Sequence, residues 1–120
     1  MEERIRFITH KNKQILLADC SHCTAAEVEN ISRLLPSYVT AEPRGSVLLL
    51  ADFTGADINR DTVTEIKRDA VFNRPHLKRS AWVGTEAIPQ VFYEHIKVFA
   101  QRDLPSFKTR EEALEWLVQE

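Results

Sequence analysis

The segment 46–55, SVLLLADFTG, decides the fold of this chain. Its apolar residues run without interruption from Val47 to Ala51 and are followed by Asp52. A short unbroken apolar run is typical of a strand that is buried on both faces of a parallel sheet. In open α/β sheets, ligands and partners usually meet the loops that follow such strands. We therefore expect the loop from Asp52 to Asn59 to carry function.

Composition favours one domain over residues 1–120. The chain is 43% hydrophobic, which is enough for a core of its own. Its net charge of −2 gives no general attraction for nucleic acid or an anionic membrane surface. No apolar run approaches the roughly 20 residues of a membrane helix, and the beginning MEERIRF lacks a signal-peptide core. We expect a cytoplasmic protein with no stable membrane association, no nucleic-acid partner and no cofactor.

Strand and helix signals alternate along the chain in the order ββαβαβαβα. The predicted strands are residues 4–10, 14–19, 47–51, 80–84 and 106–107. Three helices are predicted to begin at capping boxes, and a fourth at a proline: Thr24/Glu27, Thr62/Glu65, Thr109/Glu112 and Pro89. Pro36 is expected to kink or shorten the first helix. Right-handed crossovers then give a mixed, mostly parallel α/β sheet, and no internal repeat is evident.

Two sets of apolar residues are assigned to buried or partly covered faces. The third helix is expected to point Ile88, Phe92, Ile96 and Phe99 inward. A second set alternates along the strands and is expected to lie on the less covered sheet face: Ile5, Phe7, Ile15, Leu17, Leu48, Leu50 and Trp82. Such a face would favour a homodimer or an apolar ligand.

Four segments in this order resemble the SpoIIAA-like family of STAS domains, also described as STAS/SEC14-like. They are ITHKNKQILLADCS (8–21), SVLLLADFTG (46–55) with the helix led by Asn59, RPHLKRSAWVG (74–84) and FKTREEALEWL (107–117). The resemblance implies a STAS-like fold and a bacterial protein. It also implies a non-catalytic regulatory or scaffolding role, exercised by binding an unknown protein partner as anti-sigma-factor antagonists do.

The resemblance also implies a partner or switch loop after the central strand. Its residues would be Asp52, Thr54, Asp57, Asn59, Asp61 and Thr62, with Thr62 the nearest counterpart of the serine that is phosphorylated in antagonists. Those relatives carry Asp-Ser-Ser-Gly-Leu-Gly, whereas this chain has neither the serines nor the glycines. The alternative is that Asn59, Asp61 and Thr62 are helix caps.

Three aspartates of this loop, Asp52, Asp57 and Asp61, also carry hard oxygen ligands of the kind that Mg²⁺ prefers. An aspartate at a strand end, such as Asp52, more commonly caps the loop.

Cys20 and Cys23 form a CxxC between a strand and a helix start, where thioredoxin-like enzymes carry their dithiol. Thiol-disulfide oxidoreductase activity is therefore an alternative function. A structural zinc site would need four ligands, and the two cysteines with His22 supply at most three. We predict no metal at this position.

Residues 67–79 carry a net charge of +4, from Lys67, Arg68, Arg74, Lys78 and Arg79 against Asp69. Such a run either binds phosphate groups or is a solvated helix face.

No complete catalytic triad, P-loop or dinucleotide fingerprint is present, so an enzyme is not expected. A lipid-type ligand is the remaining alternative, although 120 residues leave little room for a large pocket.

Overall fold

The computed structural model describes residues 2–119, and within them the chain forms five strands and four α-helices. The strands are β1 (Ile5–His10), β2 (Lys13–Asp19), β3 (Val47–Asp52), β4 (Leu77–Val83) and β5 (Ser106–Phe107). The helices are α1 (Ala25–Val39), α2 (Arg60–Asn73), α3 (Gln90–Ala100) and α4 (Arg110–Leu117). Short 3-10 turns occupy Glu2–Arg4, Arg74–His76 and Thr85–Ala87. No helix in the described part is both long and apolar enough to cross a bilayer.

The strands form a single mixed sheet in the order β1-β2-β3-β4-β5. β1 and β2 are an antiparallel hairpin, and every other neighbouring pair is parallel. β3 lies at the centre, and all six of its residues are buried. The α/β class, the mixed sheet and the doubly buried strand expected from the apolar run are therefore confirmed.

Helices α1, α2 and α3 pack on one face of the sheet. Each connects two neighbouring parallel strands, and right-handed crossovers between successive strands place their helices on the same side. The main core forms there, between the sheet and helix residues that include Val28, Ile31, Val63, Ile66 and Ile96.

Helix α4 packs alone on the opposite face. Its Ala113 and Leu117 contact a second apolar cluster that contains Ile15, Leu17, Leu48 and Leu50. The apolar set expected on a less covered face is therefore divided between the two faces. Four of its members lie under α4, whereas Ile5 and Trp82 belong to the main core. Phe7 pairs with Leu16 of that core and is 37% exposed.

The structure corrects one part of the prediction at Pro36, namely that the proline shortens the helix. Helix α1 continues through this residue to Val39 and is not shortened. Leu35 and Val39 are both buried against the main core. Their packing holds the helix together across the backbone hydrogen bond that proline cannot make.

Two other boundaries also differ from the prediction. Strand β4 begins at Leu77 rather than Ser80. The exposed Lys78 and the half-buried Arg79 interrupt the apolar pattern, but Leu77 and Arg79 still pair with β3, and the register shifts at Lys78. In α3 the buried residues are Tyr93, Ile96 and Ala100. Phe99, predicted to face inward, is 46% exposed.

Helix α2 begins at Arg60, and its capping box is Asn59/Thr62 rather than the predicted Thr62/Glu65. Asn59 is the N-cap, and its side chain accepts a hydrogen bond from the Thr62 backbone at 2.9 Å. The Thr62 hydroxyl lies 3.1 Å from the Asn59 backbone N–H and 2.7 Å from the Asn59 side-chain oxygen. Two backbone donors at the start of the helix are thereby satisfied.

Replacing Asn59 with alanine should lower the free energy of unfolding by about 1 kcal/mol, because it removes the cap of α2. Denaturant-induced unfolding followed by circular dichroism measures this loss. Asn30→Ala, at an exposed position inside α1, is the matched control and should not destabilise the chain. Equal losses in both variants would contradict the role of Asn59 as a cap.

Candidate functional site

Two aspartates lie side by side where β2 and β3 end. Asp19 pairs with Asp52 in the parallel register of these strands. Arg110, the first residue of α4, bridges them: its Nη2 lies 2.9 Å from Asp19 Oδ1, and its Nε donates to Asp52 Oδ2 at 2.6 Å. We call Asp19, Asp52 and Arg110 the carboxyl-edge ion cluster. It occupies the edge at which the sequence placed the functional loop.

The two aspartates are held by identical local structure. Asp19 Oδ1 accepts hydrogen bonds from the backbone and hydroxyl of Ser21 at 3.1 and 2.5 Å. Asp52 Oδ1 accepts the same pair from Thr54 at 2.9 and 2.7 Å. The reason is a repeat that our sequence interpretation missed: Leu-Leu-Ala-Asp occurs at both 16–19 and 49–52. The two copies align residue by residue in the sheet, so the repeat itself pointed to Asp19 as the neighbour of Asp52.

The electrostatics of the cluster favour the charged form of Asp19. Burial opposes ionisation of Asp19, but the hydrogen bonds from Ser21 and the charge of Arg110 outweigh it and hold the pKa of Asp19 below its ordinary value. Arg4 adds a weaker contact, with Nη1 3.6 Å from Asp19 Oδ1. The cluster therefore binds α4 to the sheet, and its carboxylates are engaged in that contact.

The remaining residues of the predicted loop do not come together in a single site. Thr62 is fully buried, so a kinase could reach its hydroxyl only after the start of α2 opens. Asp57 and Asp61 are exposed. The Thr54 hydroxyl is bound to Asp52, and Thr54 packs against Gly84, where an added Cβ would meet the Thr54 backbone nitrogen at 2.2 Å. Among residues 2–119, no three His, Cys, Asp or Glu side chains are placed to hold a metal ion.

The two cysteines lie in an environment that disfavours thiolates. Both are free and buried. Burial raises the pKa of Cys20 strongly, and neighbouring Cys23, Asp19 and Asp52 raise it further. Burial also raises the pKa of Cys23, against a small opposing effect of Arg4. Dithiol enzymes depend on a lowered thiol pKa, so this geometry gives the oxidoreductase alternative no support.

The structure divides the basic run at 67–79 between different surfaces. Arg79 stacks on Trp116, with its Cζ 5.4 Å from the ring centroid, and donates to the Trp116 carbonyl at 2.9 Å. Asp69 points into the protein and is buried. Lys67 and Arg68 lie on the outer side of α2, and Arg74 follows directly after its last residue.

These three cations border an apolar groove between α2 and α3. Phe72 is 61% exposed and Val98 is 71% exposed, and Val71 and Phe99 lie between them. Lys67 holds its ammonium 5.0 Å from the centre of the Phe99 ring, and Arg74 donates to the Phe99 carbonyl at 3.2 Å. We call this surface the α2–α3 groove; its lining is Thr64, Lys67, Arg68, Val71, Phe72, Arg74, Val98, Phe99 and Gln101.

A separate cavity of about 60 Å³ lies beneath α1 and α2, against the sheet. Pockets for drug-sized ligands typically measure about 300–1,000 Å³. A lipid-type ligand would exceed the cavity in this conformation. Space of this size suits water or a very small molecule.

Comparison of the chain with protein-family models, curated proteins and solved structures found no match. Function is therefore inferred from the side chains of this protein. Of its surfaces, the α2–α3 groove combines exposed apolar side chains with a charged border. This is the pattern of a binding surface.

Replacing Arg110 with methionine should lower the free energy of unfolding by about 2 kcal/mol, since it leaves two carboxylates adjacent without their cation. This is less than for a fully buried pair because the Arg110 side chain is 33% exposed. Urea unfolding near pH 7 measures the loss, and Arg44→Met, at an exposed loop arginine, is the control. Equal stability of the two variants would contradict the anchoring role of the cluster.

The same pair of variants should show a pH dependence. Asp19 binds its proton less tightly in the folded chain, so its contribution to stability is present above its ordinary pKa of 3.8 and is lost as the pH falls below that value. The difference between wild type and Arg110→Met should therefore shrink toward pH 3. A difference that grew on acidification would show that another group is responsible.

Proposed function

We propose that this protein is a non-catalytic interaction module of the STAS-like type that its sequence resembles. In this proposal it acts in regulation or scaffolding by binding a protein partner through the α2–α3 groove. The observation that carries the proposal is the exposure of Phe72 and Val98 on neighbouring helices, within a border of three cations.

The apolar part of the groove supports binding on energetic grounds. Four large apolar side chains, Val71, Phe72, Val98 and Phe99, are exposed on adjoining helices. Each Å² of apolar surface taken out of water contributes roughly 25 cal/mol. Aromatic anchors such as Phe72 commonly dominate the binding energy of an interface. A partner that covered these side chains would thus gain stability without any change in the fold.

The charged border supports a choice of partner. Lys67, Arg68 and Arg74 line the groove, and complementary charges across an interface give specificity and faster association. The partner surface should therefore present apolar side chains flanked by Asp or Glu. A second copy of this chain, docked through the same groove, would bring like charges together. The homodimer predicted from sequence would then have to use another surface.

The state of the other candidate residues also supports binding rather than catalysis. Asp52 is bound by Arg110 and Thr54, and Thr62 is part of the cap of α2. Cys20 lies in surroundings that raise its pKa. Asp52 and Thr62 thus have structural roles, whereas Phe72 and Val98 are exposed and belong to neither apolar core cluster.

A charge placed in the groove should abolish binding. Val98→Asp and Phe72→Asp each put a carboxylate at the centre of the apolar surface, and we expect at least about a tenfold loss of captured partner for each. Val91→Asp is the matched control, because Val91 is an equally small apolar residue of α3, 57% exposed, that does not line the groove.

The measurement is quantitative mass spectrometry of proteins retained from host extract by each immobilised variant. Wild type and Val91→Asp should retain the same partner in similar amounts, and both groove variants should lose it. Equal retention by Val98→Asp and Val91→Asp would contradict the proposal, and so would failure of the wild type to retain any partner above an inert control protein.

A further inference from the structure

The small cavity beneath α2 is unusually polar for a position inside the main core. Besides apolar side chains such as Ile66 and Trp82, its lining includes Ser32, Ser80, Asp69, Asn73 and Arg102. All of its lining residues are buried except Ala70 and Arg102, which are partly exposed. Ala70 and Arg102 are therefore the lining residues that also contact solvent.

Three polar atoms that line this cavity have no hydrogen-bond partner. They are Asp69 Oδ2, Asn73 Oδ1 and Arg102 Nε. Asp69 and Asn73 are only 7% and 2% exposed, so bulk water does not satisfy them. A buried polar group without a partner typically costs about 1–3 kcal/mol. Three such atoms around one cavity indicate that something polar fills it.

The three atoms have a definite order along the cavity. Asp69 and Asn73 are four residues apart on α2 and therefore lie on the same face, one turn apart. Arg102 Nη2 donates to the carbonyls of Arg74 and Leu77 at 3.2 and 3.1 Å, which places its guanidinium just beyond the end of α2. Along α2 toward its end, the acceptors of Asp69 and Asn73 are thus followed by the cationic donor of Arg102.

We propose that this cavity binds a small zwitterion, with an amino group at Asp69 and Asn73 and a carboxylate at Arg102. An ammonium group supplies three donors to the two orphaned acceptors, and a carboxylate is the natural partner of a guanidinium. The volume of about 60 Å³ is far below the roughly 300–1,000 Å³ of pockets for drug-sized ligands, which restricts the class to the smallest amino acids. The cavity lies on the inner face of α2, so this binding is independent of the α2–α3 groove on the outer face.

Protonation of Asp69 should make ligand binding in this cavity depend on pH. Burial, assisted by the charge of Glu65, raises the pKa of Asp69 to about 7, while Ser32, Arg68 and Arg33 act in the opposite direction. A bound ammonium group would favour the ionised carboxylate. Binding should therefore tighten as the pH rises from 6 to 8.

The test is isothermal titration calorimetry of the dialysed full-length chain with glycine and with L-alanine. Acetate and methylamine, which each supply one end of the zwitterion, are the control ligands. We expect saturable binding of glycine, at least about tenfold stronger than binding of either half, and stronger at pH 8 than at pH 6. Absence of heat and of saturation-transfer NMR signal for both amino acids would overturn the proposal and assign the cavity to water alone.

Two variants separate recognition from incidental binding. Asp69→Asn keeps the shape of the side chain and removes its charge, and Arg102→Met keeps its length and removes the donors. Both should lose glycine binding by at least about tenfold, while circular dichroism reports a folded chain. Undiminished binding by folded Asp69→Asn would overturn the proposal. Because that variant keeps the volume of the native side chain, it decides the question alone if Arg102→Met does not fold.

Discussion

The bridge from Arg110 to Asp19 and Asp52 is the contact on which the rest of the fold depends. Helix α4 has eight residues, too few to be stable in isolation. Nevertheless it covers the whole second apolar cluster, including Leu17 and Leu50. The bridge fixes its first residue to the ends of two central strands. The contact of Arg79 with Trp116 secures its last turn. With α4 in place, the apolar surface left exposed is concentrated on α2 and α3.

Local signals were sufficient for much of this architecture. The apolar run that became β3, the capping box at Thr24 and Glu27, and the two-residue edge strand β5 are all confirmed. Each depends on neighbours in sequence, which a pattern can report. The Leu-Leu-Ala-Asp repeat was equally legible and was overlooked. Two identical segments at the ends of neighbouring parallel strands would have been enough to pair Asp19 with Asp52 from sequence alone.

The other errors have physical causes that lie outside local sequence. Arg110 and Asp52 are 58 residues apart, and the sequence around each of them does not indicate that they form an ion pair. The side of the sheet taken by α4 could not be derived, because no strand follows it within residues 2–119 to impose the crossover rule. At Pro36, the packing of Leu35 and Val39 in the main core outweighs the low helix propensity of proline. At Phe99, a shift of one position in the buried stripe of α3 was enough to move an aromatic residue from the expected core to the surface.

Helix α2 contributes to both proposed binding sites, one on each side. Asn59 and Thr62, two residues of the predicted switch loop, form the capping box at its start. Its outer side carries Lys67 and Phe72 into the groove, and its inner side carries Asp69 and Asn73 into the cavity. Core packing required only Val63 and Ile66 of this helix to be apolar. The positions on either side of that stripe were free to acquire binding roles.

Site-specific photo-crosslinking in the living host tests the central claim, that partners meet the outer faces of α2 and α3, most directly. A photoreactive amino acid is placed in turn at position 98 in the groove, at position 91 outside it, and at position 54 beside the carboxyl-edge ion cluster. We expect a discrete higher-mass adduct from position 98 and none from the other two. An adduct from position 54 without one from position 98 would contradict this claim and return the binding site to the loop after β3.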